Sequence, residues 1–298
     1  MNDLNCSKII KESPEALSWN EDIFLMHYLQ KEEKTRVNMC VHMDHISIVL
    51  RGQKEILGQG SKTIVPAGSG FFIKKGSYLI TDKFDKQDEG YEAILIFFSD
   101  SWLRTQVESI YGCSNGADAV NSVGIHEDIA LLTQDSMMNA LALQLKSYLC
   151  MDADRQRLSA LLPIKIRELF HVLITATGGH HFEMQLRNLD RHLNPDLVLL
   201  MEIHYRENIS LEQYAFLANC SLSTFKRRFQ ETFKMNPGKW IMQRRLEEAY
   251  ELLGNSDKNV SQIAYEIGFE TPAHFIASFK QKYRDTPKQV KQKLLLKI

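Results

Sequence analysis

Two stretches in the last third of the chain repeat each other about fifty residues apart, and each has the pattern of a short helix, a tight turn and a second helix. Ser210-Leu211-Glu212-Gln213-Tyr214-Ala215 is echoed by Asn259-Val260-Ser261-Gln262-Ile263-Ala264. Phe225 and Phe229 recur as Phe275 and Phe279, and Asn236-Pro237 recurs as Thr286-Pro287, both 50 residues on. A duplicated helix-turn-helix restricts this region to an all-α module with two like units. The task such pairs commonly serve is gripping duplex DNA at two neighbouring sites.

In the first copy Ser210 reads as an N-cap, and Gln213 three residues later completes a capping box. Leu211, Tyr214, Ala215 and Ala218 supply the buried stripe of a short helix, Asn219-Cys220 the turn, and Ser221 the cap of the next helix. There Phe225 and Phe229, four residues apart, share the core face. At about 100° per residue Arg227 lies opposite them, with Ser223, Thr224 and Gln230 around it and Lys226 and Arg228 on the flanks. An aromatic root under a polar, arginine-centred outer face suits insertion into a major groove. An isolated Lys-Arg-Arg run is ordinarily solvated surface; the helix-turn-helix setting and its repeat favour the DNA reading here.

The second copy is built similarly. Asn259 and Gln262 form its capping pair, Val260, Ile263, Ala264 and Ile267 its buried stripe, and Gly268 permits its turn. Thr271-Pro272 opens the next helix, where proline is tolerated. With Phe275 and Phe279 inward, Ala273, His274, Ala277 and Lys280 face outward, a surface fitted to phosphate or thymine-methyl contacts. Between the copies Asn236-Pro237 opens a long spacer helix carrying Trp240, Leu246, Ala249 and Leu253 and stopped by Gly254. Arg244 and Arg245 project from it, either to DNA phosphates or to surface ion pairs with Glu247, Glu248 or Glu251.

The 298 residues allow two ordinary domains, and 44% hydrophobic with 24% charged residues is a globular composition. The net charge of −1 conceals an asymmetry: residues from 186 onward carry 18 Lys and Arg against 13 Asp and Glu, and the remainder 18 against 24. Such a split is the footprint of one DNA-facing domain and one that is not. Five cysteines, odd in number and never spaced CxxC, read as thiols in a reducing compartment. With no secretory signal and no apolar run of about 20 residues, the expectation is a soluble, cytoplasmic chain without a membrane partner.

From about Arg36 to Phe98, short β-rich runs alternate with glycine turns, and a barrel over about 20–100 is expected. Met137, Leu141, Leu145 and Leu149 place a helix over roughly 128–150. A second amphipathic stretch carries Leu158, Leu161, Leu162, Ile166, Leu169, Phe170 and Leu173, with Pro163 marking a kink or a break. These helices pack either on the barrel or on a second copy of themselves. The resulting division is a barrel-and-helix domain over 1–176, a linker over 177–195 and the double helix-turn-helix over 196–298. Within the linker, Thr177-Gly178-Gly179-His180-His181 reads as a solvated loop, and no metal site is expected from its histidines.

With these residues in place, the segment from about 193 to 291 resembles the AraC/XylS family of bacterial transcription regulators. Cys220-Ser221-Leu222-Ser223-Thr224-Phe225-Lys226-Arg227-Arg228-Phe229 is similar to the family's first recognition helix, Arg244 to Leu253 to its linker helix, and Ile263 to Pro287 to its signature segment. The resemblance implies two recognition helices in successive major-groove segments. Ser223, Lys226 and Arg227 then contact DNA from the first helix, and Pro272, Ala273, His274 and Ala277 from the second. Ala277 stands where an arginine is frequent. Val49-Leu50-Arg51-Gly52, followed by Val65 to Tyr78, resembles the ExsA-like branch of the cupin-like sensor domains. His42 and His45 are spaced HxxH rather than HxH, and Tyr78 stands where a late histidine is expected in metal cupins.

The fold expected is therefore α+β: an N-terminal cupin-like barrel with flanking helices, and a C-terminal all-α domain of two helix-turn-helix units on a linker helix. The function expected is a sequence-specific transcriptional regulator, an activator, with promoter DNA and RNA polymerase as partners, no cofactor, and a homodimer contact in the N-terminal domain. Its control falls to a small-molecule effector or a regulatory protein. The alternatives are a cupin-type enzyme with an accessory helical domain, disfavoured by the missing ligand set, and a protein-binding helical module, disfavoured by clustered Lys226, Arg227 and Arg228.

Overall fold

The computed structural model describes residues 15–84, 90–111, 128–151, 153–187 and 196–295, with Ser13 and the backbone of Leu4–Asn5. They fall into two compact units, Met1–Pro195 and Asp196–Ile298, with an α+β make-up: strands in the first, helices alone in the described residues of the second.

The first unit has two sheets. One contains β1 (Leu4–Asn5), β4 (Lys34–Val41), β9 (Gly76–Lys83), β6 (Gln53–Leu57) and β7 (Lys62–Pro66), in that spatial order. The other runs β11 (Ile129–Leu132), β8 (Gly70–Ile73), β5 (His45–Arg51), β10 (Tyr91–Phe98), β3 (Ile23–Gln30) and β2 (Leu17–Trp19). All pairings are antiparallel except β1 with β4. Met26, Val49, Phe71, Ala93 and Phe97 meet Met39, Val41, Ile56, Val65, Tyr78 and Ile80 in the core cluster that joins the two sheets.

The opposite face of the six-stranded sheet is covered as well. Leu25, Ile46, Ile48, Phe72, Ile94, Ile96 and Phe98 pack against helices α1 (Asp100–Tyr111), α2 (Ser136–Cys150), α3 (Arg155–Thr175) and α4 (Gly179–Arg187). Burial on both faces explains why Ala93 to Phe98 reads as an unbroken apolar run instead of an alternating one.

Three expectations change here. The helix expected over 128–150 is a strand followed by a helix: Ile129–Leu132 pairs with Gly70–Ile73, and Asp135 caps α2 by accepting from the amides of Met137 and Met138. A short apolar run has no periodicity to separate strand from helix. Pro163 neither ends nor splits its helix, because Leu158, Leu162, Ile166, Leu169 and Phe170 hold α3 against the core on both sides of it. The supposed linker begins as structure: α4 buries Phe182 and Leu186, and Phe182 stands edge-on to Phe72 and Phe170. His180 and His181 are thus exposed positions on a helix, not a loop; residues 188–195 lie outside the described residues.

An ionic clamp fastens α2 to the sheet. Glu92, buried on β10, accepts from His27 Nε2 at 2.7 Å, Arg51 Nη2 at 2.5 Å and Lys146 Nζ of α2. Burial alone would push its carboxyl up, but hydrogen bonds from Lys146, Arg51 and His27 outweigh it and bring the pKa down from 4.5 to about 2. A carboxyl with a depressed native pKa stabilises the fold above its unfolded value, and that stabilisation drains away as the pH falls through the native one. Acid titration of the wild type should therefore show a loss of stability between pH 4.5 and about 2 that Glu92→Gln flattens. Parallel denaturation curves for the two proteins across that window would show that the clamp does not bear on stability.

In the second unit α5 (Leu197–His204) precedes the repeated pairs α6 (Leu211–Leu217) with α7 (Leu222–Phe233) and α9 (Val260–Glu266) with α10 (Pro272–Tyr283). Helix α8 (Pro237–Asn255) joins the pairs, and α11 (Pro287–Leu295) follows. The first helices of the pairs are offset by 49 residues and the second by 50, so the second turn is one residue longer. Helix α8 runs through Gly254 and ends at Asn255, a correction to the expected stop. Leu246, Ala249 and Leu253 on α8 form one core with Ile263, Ala264, Ile267, Phe275 and Phe279.

Candidate nucleic-acid interface

Each helix-turn-helix is fixed by its own caps. The Ser210 hydroxyl accepts from the Gln213 amide while the Gln213 side chain accepts from the Ser210 amide; Asn259 and Gln262 make the same reciprocal pair. Ser221 caps α7 through the Thr224 amide, and Thr271 caps α10 through the His274 amide. Substituting caps of this kind costs about 1 kcal/mol each, so the positions of both second helices are set locally. Both then end alike, on Lys234 and Arg284 in the left-handed conformation at φ 55° and 66°.

Aromatic packing orients α7. Phe225 stacks on Tyr214, and Phe229 lies among Phe225, Phe233 and Trp240, with Phe225 and Phe229 fully buried. With that root inward, Ser223, Lys226, Arg227 and Gln230 are exposed, and Thr224 and Arg228 are half-buried. The Ser221 hydroxyl links Ser223 and Thr224 at 3.0 and 2.9 Å, tying the start of the helix to its cap. Among the described residues no ion pair engages Lys226 or Arg227. Lys226 and Arg227 stand solvated on one outward face of α7, with Lys226 near enough to Glu212 to interact with its charge; a cationic face of this kind suits phosphate oxygens or guanine edges.

In α10, Phe275 and Phe279 are buried, while Ala273, His274, Ala277 and Lys280 are exposed and Pro272 is half-buried. The His274 ring rests edge-on against Phe269 with centroids 5.4 Å apart. Ile276, 38% exposed, belongs to the same outward surface and escaped the sequence reading. Its spacing of three from Ala273 and four from Lys280 was the signal. It adds a bulky apolar side chain to the outer face of α10.

The two spacer arginines do not project toward solvent together, which corrects their place in the expected site. Arg245 is turned into the protein. It donates from Nε to the Tyr205 carbonyl at 2.6 Å, from Nη1 to the Gly268 carbonyl at 2.5 Å and from Nη2 to the Glu207 carbonyl at 3.0 Å. Arg244 pairs with Glu202 at 3.2 Å and lies over the Tyr205 ring. The ion-pair alternative is realised for Arg244, with a partner on α5 rather than a neighbour on α8. Glu248, expected as a surface partner, is buried and accepts from the Tyr205 hydroxyl at 2.8 Å and Arg206 Nε at 2.9 Å.

Residues 214–293 match the helix-turn-helix domain family, and residues 44–184 match the ExsA N-terminal regulatory domain family. The thermoregulatory protein LcrF of Yersinia pestis is 26% identical over 252 residues, covering 83% of this chain and 89% of its own length. The HTH-type transcriptional regulator ExsA of Pseudomonas aeruginosa is 24% identical over 252 residues, covering 83% and 85%. A crystal structure of an apo ToxT variant from Vibrio cholerae aligns at 13% identity over 93% of this chain and 99% of that one, with a TM-score of 0.42. The sequence relatives are regulators and not enzymes, which removes the cupin-enzyme alternative. Two helix-turn-helix units behind an ExsA-type regulatory half place the chain in the AraC/XylS family of transcriptional regulators.

Proposed function

We propose that the chain is a cytoplasmic transcriptional activator that reads a promoter with α7 and α10 in successive major-groove segments and recruits RNA polymerase there. The observation that carries the reading is the pair of capped helix-turn-helix units, the first presenting Lys226 and Arg227 outward. Arg227 is the base-reading side chain. Ser223, Thr224, Lys226, Arg228 and Gln230 position α7, while Pro272, Ala273, His274, Ala277 and Lys280 dock α10. The first unit carries control, through a small effector or a regulatory protein, and a homodimer contact.

The test is binding to sites selected from random DNA by the full chain. Arg227→Ala should weaken the selected site by about 1–3 kcal/mol and relax preference at one base pair. An unchanged sequence preference would remove Arg227 from base reading. Affinity should also fall steeply as salt rises, because each phosphate contact releases counterions. A salt-independent complex would contradict the whole cationic-face reading.

A further inference from the structure

Helices α7 and α10 are built on one plan, so residues 50 apart hold the same place on each. Ser221 and Thr271 cap them, two buried phenylalanines four residues apart root them, and Lys234 and Arg284 end them in the left-handed conformation. On that frame Ser223, Lys226 and Arg227 of α7 answer to Ala273, Ile276 and Ala277 of α10, and all six are exposed. Each hydrogen-bonding side chain of the first set is replaced by one that cannot hydrogen-bond. Gln230 and Lys280, the next exposed pair, are both polar. Ile276 is 38% exposed, and the fold does not call for it, since a lysine fills the same place over the same aromatic root in α7. A single exposed isoleucine means little by itself. The change of all three positions together is what carries weight.

We infer that α10 recognises thymine through its 5-methyl group, with Ile276 as the contact residue, where α7 recognises its own element through hydrogen bonds. The inference rests on the DNA reading above and gives the second element its chemistry. In the major groove thymine alone presents a methyl group, and an apolar side chain laid against it buries apolar surface on both sides. Set against N7 and O6 of guanine, or N7 and N6 of adenine, the same side chain strips water from hydrogen-bonding groups and offers them no partner, which is penalised. Ala273 and Ala277 are short, so the backbone of α10 can approach the base edges closely. Lys280, four residues beyond Ile276 and so beside it on the helix, supplies a cation for a phosphate. A protein partner is disfavoured. Ile276 stands among alanines as the large exposed apolar side chain of α10, whereas a stable protein contact gathers roughly 800 Å² on each side.

Binding of the full chain to its selected site, with thymine exchanged for uracil in one element at a time, tests this. Uracil keeps the hydrogen-bonding edge of thymine and loses only the methyl group. Uracil under α10 should weaken wild-type binding about fourfold for each methyl contacted, and uracil under α7 should change it less than about twofold. The effect should fall in one element only, and not in the one where Arg227→Ala relaxes base preference. Ile276→Ala should bind the thymine and uracil forms alike, close to the wild-type affinity for uracil, with an unchanged melting temperature. Equal wild-type affinity for thymine and uracil, an equal loss in both elements, or a thymine preference that survives in Ile276→Ala would each overturn the inference and leave the DNA reading standing. Failure of the wild type to prefer any duplex sequence would overturn the DNA reading and this inference with it.

Discussion

Arg245→Ala is expected to destabilise the second unit by about 3 kcal/mol, the cost of taking a charged donor from three carbonyls that share one half-buried side chain. Its guanidinium spans the carbonyls of Tyr205, Glu207 and Gly268, which lie after α5, before α6 and in the turn between α9 and α10. One side chain on α8 therefore ties the approach to the first helix-turn-helix to the turn of the second. Without it three acceptors lose a charged donor at once. Arg245→Lys should recover less than half of the loss, because an ammonium is a point donor and cannot span the fork of a guanidinium. For a unit of about this size, 3 kcal/mol corresponds to a fall of roughly 12–24 °C in melting temperature. Far-ultraviolet circular dichroism reports it, since the described elements of this unit are all helical. A loss below about 1 kcal/mol, the worth of one ordinary hydrogen bond, would show that the freed carbonyls find other partners and that Arg245 is not the tie.

Why the caps and the aromatic roots were readable, and Arg245 was not, follows from the range of the interactions. Ser210 with Gln213, Asn259 with Gln262, and Phe225 with Phe229 interact within one helical turn, so spacing alone determines them. The exposed face of α7 then follows by geometry, since burying two aromatics fixes the opposite side. Arg245 reaches groups 38 and 40 residues earlier in the chain, and nothing in its neighbourhood signals that. A lone arginine on an amphipathic helix reads as surface because most are. The strand at Ile129–Leu132 was hidden for a related reason: its partner, Gly70–Ile73, lies far upstream, and four apolar residues before a helix look like more helix. Phe182 and Leu186 were lost behind Gly178 and Gly179, where a break between two helices resembled the start of a linker. Ile276, a bulky apolar residue next to the buried Phe275, reads as core although helical geometry turns it outward.

Gly268→Ala should be at least as damaging as the loss of Arg245, and it tests the same seam from the other side. Gly268 sits at φ +88°, a conformation that side-chain-bearing residues rarely adopt. A Cβ there would lie 2.0 Å from the Arg206 carbonyl oxygen and 2.9 Å from Arg245 Cζ. The first obstacle is backbone and cannot rotate away, so the turn must move off the segment that follows α5 and draw its own carbonyl out of reach of Arg245. Backbone strain of about 1–3 kcal/mol and overpacking of similar size then add to part of the Arg245 loss, and more than about 4 kcal/mol in total is expected. Asn219 answers to Gly268 in the first copy and holds φ 51° with a side chain, so a left-handed residue alone does not demand glycine. The close approach of Arg206 does. Gly254→Ala is the internal control. That glycine lies within α8, its Cβ would meet only the tip of Leu294 at 3.3 Å, and alanine is the better helix former by about 1 kcal/mol. Gly254→Ala should leave stability within about 1 kcal/mol of the wild type. If Gly268→Ala behaved like Gly254→Ala, the seam would be loose, and the phase between α7 and α10 would have to be set by DNA and not by the folded protein.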